Sequence, residues 1–314
     1  MEAETFREQA ARIIDNVETV ILGKRREVAL AVAGLMCRGH VLIEDKPGTG
    51  KTMLSRALAR SIGCHFSRIQ FTPDLLPSDI TGVTIYDQAR QEFRFQPGPV
   101  FANVVLADEI NRATPKAQAS LLECMDEYQV TIDGRTHPLP RPFFVLGTEN
   151  PIEYHGTYPL PEAQLDRFML RLEVGYPDHR TEVEMLTAQR RRHPIDALEP
   201  VIEAQDVVTL QEVVCEVPVA EVVKDYIVRL TGATRDHRLI SLGASPRGSL
   251  ALMRMAQCWA LLAGLPSPRE DEVKDIAVPV LAHRLILSPE ARGQGLTPEA
   301  VVRELLDEIE VTIP

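Results

Sequence analysis

The sequence predicts an α/β protein, an αβα sandwich on a parallel sheet, followed by a smaller all-α domain. Two runs without a polar residue, Val104–Ala107 and Phe143–Leu146, stand between helical segments and read as strands buried on both faces. Strands of this kind alternating with helices imply a parallel sheet. Past His193-Pro194 the strand patterns stop, and apolar residues recur at helical spacing in Val222, Tyr226, Ile227 and Leu230. That change of character divides the chain into segments 1–195 and 196–314.

The elements follow in order. An amphipathic helix is expected over about Phe6–Val20 and a second over Lys24–Cys37. His40-Val41-Leu42-Ile43-Glu44 reads as a short buried strand, and the glycine turn after it opens a helix reaching Arg60. Thr114 is an N-cap residue type and Pro115 suits the first helical position, so a helix should run from there to near Asp126. Gln129–Ile132, Asp133-Gly134 and Arg135–His137 make a hairpin pattern, because Asp-Gly accepts the two positive φ angles of a type I′ turn. In the second segment, Leu252, Met255, Trp259 and Leu262, then Val301, Leu305 and Ile309, mark further helices.

Composition narrows the class. The chain has 314 residues, 45% hydrophobic and 25% charged, which excludes a disordered or fibrous protein. Its net charge of −11 disfavours non-specific binding to phosphate backbones, so nucleic acid is not the expected partner. The five cysteines are scattered and form no C-x-x-C pair, consistent with reduced thiols in a cytoplasmic protein. The acidic N-terminus lacks the pattern of a signal peptide, and the longest apolar runs, Val28–Cys37 and Ala256–Leu265, are too short to span a bilayer.

Three strings carry chemistry. Lys46-Pro47-Gly48-Thr49-Gly50-Lys51-Thr52 follows a predicted strand and opens a helix, the context of a P-loop. There the backbone N–H groups cradle phosphates, Lys51 would reach the β and γ oxygens, and the Thr52 hydroxyl would bind Mg²⁺. The usual pattern begins with Gly; here Asp45 stands in that place. Val104-Val105-Leu106-Ala107-Asp108-Glu109 is an apolar strand ending in an acidic pair, where Asp108 would hold Mg²⁺ and Glu109 would polarise the attacking water. Asn150, in Thr148-Glu149-Asn150-Pro151 after the strand Phe143–Leu146, could hydrogen-bond both water and γ-phosphate. Adjacent carboxylates suggest hydrolysis, and the N-K-x-D string of a guanine-reading GTPase does not occur. Arg167 and Arg247 lie at element ends, although a lone arginine is most often a solvated surface charge.

The runs Arg68-Ile69-Gln70-Phe71-Thr72-Pro73-Asp74-Leu75-Leu76-Pro77-Ser78-Asp79-Ile80-Thr81-Gly82, Asp108–Ala113 and Gly156–Phe168 are long and specific, and with them nearly the whole chain resembles the MoxR branch of AAA+ ATPases. The resemblance implies ATP and Mg²⁺ as cofactors, Gly48–Thr52 as Walker A, Asp108 and Glu109 as Walker B, and Asn150 as sensor 1. It makes Arg167 the arginine finger serving the neighbouring subunit and Arg247 the sensor 2 of a helical lid, neutralising phosphate charge in its own subunit beside Lys51. It places an insertion in the second core helix, around Ile85–Pro97, and a β-hairpin before sensor 1. The implied assembly is a homo-oligomeric ring, usually a hexamer, with a chaperone-like role in maturing protein complexes. Its implied partners resemble von Willebrand factor A domain proteins.

Two other functions stay open on the residues alone. Related branches with the same insertion drive DNA or RNA. The hairpin here, however, offers only Arg135 and His137 against Asp133, and the insertion sets Arg90 and Arg94 against Asp87 and Glu92, which favours a protein client. A regulatory nucleotide-binding module without turnover is the other, and the intact Glu109 speaks against it.

Overall fold

The computed structural model describes residues 2–150, 157–188 and 193–310. Pro151 of the Asn150 string, Gly156 of the run Gly156–Phe168, and residues 189–192 and 311–314 of the two segments lie outside them. The first segment holds helices α1 (Glu2–Glu18), α2 (Arg25–Met36), α3 (Lys51–Ser61), α4 (Pro77–Thr81), α5 (Pro115–Glu127), α6 (Glu162–Leu165) and α7 (His179–Ala188). Its strands are β1 (Val41–Glu44), β2 (Phe66–Gln70), β3 (Gly82–Asp87), β4 (Glu92–Pro97), β5 (Val104–Asp108), β6 (Gln129–Ile132), β7 (Arg135–Pro138), β8 (Phe144–Glu149) and β9 (Leu170–Leu172). The second holds α8 (Ala204–Glu216), α9 (Glu221–Asp236), β10 (Ile240–Leu242), α10 (Pro246–Leu262), α11 (Glu270–Leu281), β11 (Ile286–Leu287), α12 (Pro289–Gly293) and α13 (Pro298–Glu308).

The main sheet is parallel throughout, in the order β2-β5-β8-β1-β9. Its middle strands are the apolar runs legible in the sequence. The two edge strands escaped that reading, because an edge strand needs no continuous apolar run: β2 alternates Arg68 and Gln70 with Ile69, and β9 is three residues around Arg171. One face of the sheet packs Val105 and Val145 against Leu121 and Leu122 of α5. On the other face, Val41, Ile43 and Leu106 share a single apolar core with α1–α3, and that core runs unbroken into α8–α11 and α13.

The second segment is helical, as expected, apart from one short feature. Ile240 pairs with Leu287 in a short antiparallel ribbon of β10 and β11, too brief to leave a periodic signal. Elsewhere the local chemistry holds. Thr114 caps α5 by position without a side-chain hydrogen bond. The buried Gln118 anchors that helix instead, donating to Ile110 O at 3.1 Å and Tyr158 O at 2.8 Å. Asp133 (φ 50°) and Gly134 (φ 74°) make the tight turn of the β6–β7 hairpin. The insertion around Ile85–Pro97 is a second hairpin, β3–β4, and Phe95 stacks on His137 with ring centroids 4.1 Å apart, joining the two hairpins.

Candidate active site

Between β1 and α3 the chain wraps through residues 45–50. Gly48 (φ 84°) and Gly50 (φ 93°) hold a left-handed backbone that a side chain would strain. Apart from the adjoining residues of the chain, no atom lies within 4 Å of where a Cβ would stand on either, so the loop is open toward a ligand at the N-terminus of α3. Asp45 does what glycine could not at the loop's first position. Its carboxylate accepts from Lys46 N and from Gly175 N, each at 2.7 Å, and so ties the loop to the chain beyond β9. Lys51 Nζ donates to Asp45 O at 2.6 Å. Burial lowers the Lys51 pKa from the ordinary lysine value, opposed by the nearby charges of Asp45, Asp108 and Glu109.

Because β5, β8 and β1 are neighbours and parallel, their C-terminal ends meet on one edge, where open α/β sheets bind ligands. A cavity of about 380 Å³ there gathers Pro47, Gly48, Gly50, Lys51, Thr52, Asp108, Glu109 and Asn150, together with Arg68 from β2. Lys46 turns elsewhere, its Nζ 5.4 Å from the centre of the Tyr176 ring. Thr49 donates to Lys46 O at 3.2 Å and faces a small apolar cleft of about 90 Å³. That cleft shares Gly48, Gly50 and Met53 with the main cavity and is walled by Ile21, Leu22 and Val174.

The carboxylates are held by residues that the motif reading missed. Asp108 accepts from Thr148 Oγ1 at 2.7 Å and from Arg68 at 2.6 and 3.0 Å. Glu109 has φ 57° and ψ 51°, a left-handed conformation that costs a non-glycine residue on the order of 1–3 kcal/mol unless its surroundings impose it. Here they do: Glu109 N donates to Thr148 Oγ1 at 2.8 Å, while Gln70 Nε2 and Arg112 Nη1 each donate to Glu109 Oε2 at 2.9 Å. Arg68 and Gln70 stand two apart on β2 and therefore on one face of the strand, the signal that could have marked them.

Arg167 and Arg247 do not line this cavity. They meet at a separate one of about 370 Å³, where both pair with Asp126 of α5, at 2.9 Å and 3.6 Å respectively. Arg247 thus stands apart from the P-loop of its own subunit, which it is expected to serve. The cause is the docking of α10, which packs on α1 and α2 and is tied at its N-terminus to the Arg167 loop. Ser245, the N-cap of α10, donates to Asp166 Oδ2 at 2.7 Å, and the buried Arg284 donates to Asp166 Oδ1 at 2.9 Å. Arg284 also reaches Phe168 O at 2.6 Å, so its guanidinium is consumed in fixing that loop.

A P-loop after β1 of a parallel sheet of this strand order, an Asp-Glu pair at the tip of β5, one strand removed from β1 in that sheet, and a helical region after it define an AAA+ ATPase. Residues 40–170 match the profile described as the ATPase family associated with various cellular activities (AAA), and residues 232–305 that of the AAA lid domain. The chain is 50% identical to the uncharacterized protein YeaC of Bacillus subtilis (strain 168) over 96% of its own length and 94% of that protein's. It is 42% identical to chaperone MoxR1 of Mycobacterium tuberculosis over 95% of its length and 81% of that protein's. A crystal structure from Cytophaga hutchinsonii, provisionally described as an ATPase, superposes with a TM-score of 0.93 at 36% identity, covering 99% of this chain and 97% of that one. The chain belongs to the MoxR family of AAA+ ATPases.

Proposed function

We propose that the protein hydrolyses Mg²⁺-ATP at the subunit interfaces of a homo-oligomeric ring, a hexamer, and uses the cycle to remodel or activate a partner protein in the cytoplasm. One observation carries the reading. Each protomer gathers a phosphate loop and two carboxylates in one cavity while both arginines stand together elsewhere, so a complete site needs a second subunit. The chaperone name of MoxR1 supports a protein client, and a von Willebrand factor A domain protein is the partner we expect.

The donor set fits Mg²⁺-ATP. Thr52 and Asp108 offer the hard oxygen ligands that Mg²⁺ takes together with substrate phosphates. Bound there, the ion would neutralise charge on the β and γ oxygens. The glycine loop receives the phosphates and Lys51 exchanges Asp45 O for a phosphate oxygen, while the apolar cleft at Ile21, Leu22 and Met53 receives the base. Glu109 accepts the proton of the attacking water, and Asn150 holds that water in line. Arg167 and Arg247 reach the γ-phosphate of the adjacent subunit, so segments 1–195 and 196–314 act as core and lid that move the two arginines as one unit.

The test is phosphate release from ATP at protein concentrations where native mass detects the oligomer. Turnover that appears only with assembly and Mg²⁺ supports the reading. Turnover by the isolated protomer at the same specific rate would refute it.

A further inference from the structure

The cavity beside Asp126 holds more positive charge than two arginines. Its charged lining is Arg38, Arg167, Arg247, Arg254 and Arg284 against Asp126. Arg284 is already neutralised by Asp166, which leaves four guanidiniums facing one carboxylate, in a protein whose net charge is −11. The concentration is built by the packing. Arg247 and Arg254 lie seven residues apart on α10, hence on one face of that helix. Arg38 follows the C-terminus of α2, and Cys37 Sγ beside it donates to Arg254 O at 3.3 Å, which seats the end of α2 against α10. No carboxylate among the described residues pairs with Arg254, and Arg38 has only Glu212 at 3.9 Å, outside hydrogen-bond range. Guanidiniums in excess of carboxylate around an open cavity suit a multiply charged anion with several acceptor oxygens.

We propose that Arg38 and Arg254 complete, with Arg167 and Arg247, a four-arginine receptor for the triphosphate of the nucleotide held by the adjacent subunit. The proposal rests on the interfacial reading above and extends it from two residues to four. Asp126 is the internal anion that occupies the receptor in the free protomer and yields the guanidiniums to the incoming phosphates. Arg254 and Arg38 would hold the chain behind its terminal phosphate, so their loss weakens the trans contact without touching the subunit's own P-loop.

The probe is inorganic tripolyphosphate, titrated calorimetrically into the full chain carrying Lys51→Ala to weaken the subunit's own phosphate loop. Binding is expected, with Arg254→Gln lowering affinity on the order of tenfold and Asp126→Asn raising it. In the chain with an intact P-loop, Arg254→Gln should lower kcat about tenfold with little change in KM, and Arg254→Lys should recover most of it. Mixing Arg254→Gln with Lys51→Ala subunits, which donate an intact Arg254, should restore turnover and thereby place the triphosphate on the neighbour. Tripolyphosphate binding that depends on Arg254, with normal kcat in Arg254→Gln, would mean a site for free polyphosphate and overturn the proposal. Arg254-dependent binding of single-stranded DNA with normal kcat would do the same. If Arg167→Ala loses turnover and is rescued by mixing while Arg254→Gln loses nothing, this proposal fails and the interfacial reading stands. If neither variant is rescued, the interfacial reading itself fails.

Discussion

Arg68 Nη2 lies 2.6 Å from Asp108 Oδ2, so the carboxylate placed to meet the metal is already paired with a cation. If Asp108 holds Mg²⁺ as proposed, Arg68 and the ion would compete for that carboxylate. The arginine is about half exposed, which keeps the pair's contribution within about 0–1 kcal/mol. Arg68→Met should therefore lower the Mg²⁺ concentration for half-maximal ATP binding by up to about fivefold. An unchanged or raised Mg²⁺ requirement in a titration at fixed ATP would show that the two do not compete.

Lys51→Ala removes the side chain proposed to bridge the loop to phosphate oxygens. A charge-assisted contact of this kind is worth about 1.5–3 kcal/mol, so ATP affinity should fall roughly ten- to a hundredfold. Calorimetry with ATP checks this, and wild-type affinity would take Lys51 out of the site.

Glu109→Gln keeps size and hydrogen-bonding reach but accepts no proton. Binding should persist while turnover drops by about 10²–10⁴. Because Gln70 and Arg112 hold the carboxylate, and Thr148 the backbone beneath it, the variant should fold normally. Near-normal phosphate release would move the base elsewhere.

The motifs were legible because each is a short string at the end of a strand or the start of a helix: residues 46–52, Asp108-Glu109 and Asn150. Arg68, Gln70 and Thr148 were not, since only the order β2-β5-β8 brings them to those carboxylates. Arg247 shows the same limit from the other side. Its position on a helix start was readable, but its separation from the P-loop depends on how α10 docks, which contacts among Asp166, Ser245 and Arg284 fix across the two segments.

Glu149 closes β8 opposite Glu44 of β1, and burial, with Glu44 adding repulsion against the pull of Arg171, raises its pKa to about 7. The folded pKa exceeds the ordinary 4.5, so the native state binds the extra proton, and its stabilising share is complete below about pH 4.5. That share is lost as pH rises from about 4.5 to about 7, on the order of 3 kcal/mol in total. Glu149→Gln should flatten the fall of unfolding free energy across this window in denaturant titrations. A wild-type slope in the variant would contradict the assignment.

The central claim is that Arg167 completes the site of a neighbouring subunit, and subunit mixing tests it most directly. Arg167→Ala should bind ATP normally and hydrolyse it on the order of 10³-fold more slowly, as loss of an arginine finger does. Lys51→Ala should lose turnover for a different reason, weakened ATP binding, yet carries an intact Arg167. Phosphate release is measured from each variant alone and from the two mixed, with mixed rings verified by native mass. The account predicts that mixing restores activity, because a Lys51→Ala subunit lends its arginine to the working pocket of an Arg167→Ala neighbour. Verified mixed rings with no restored phosphate release would contradict it.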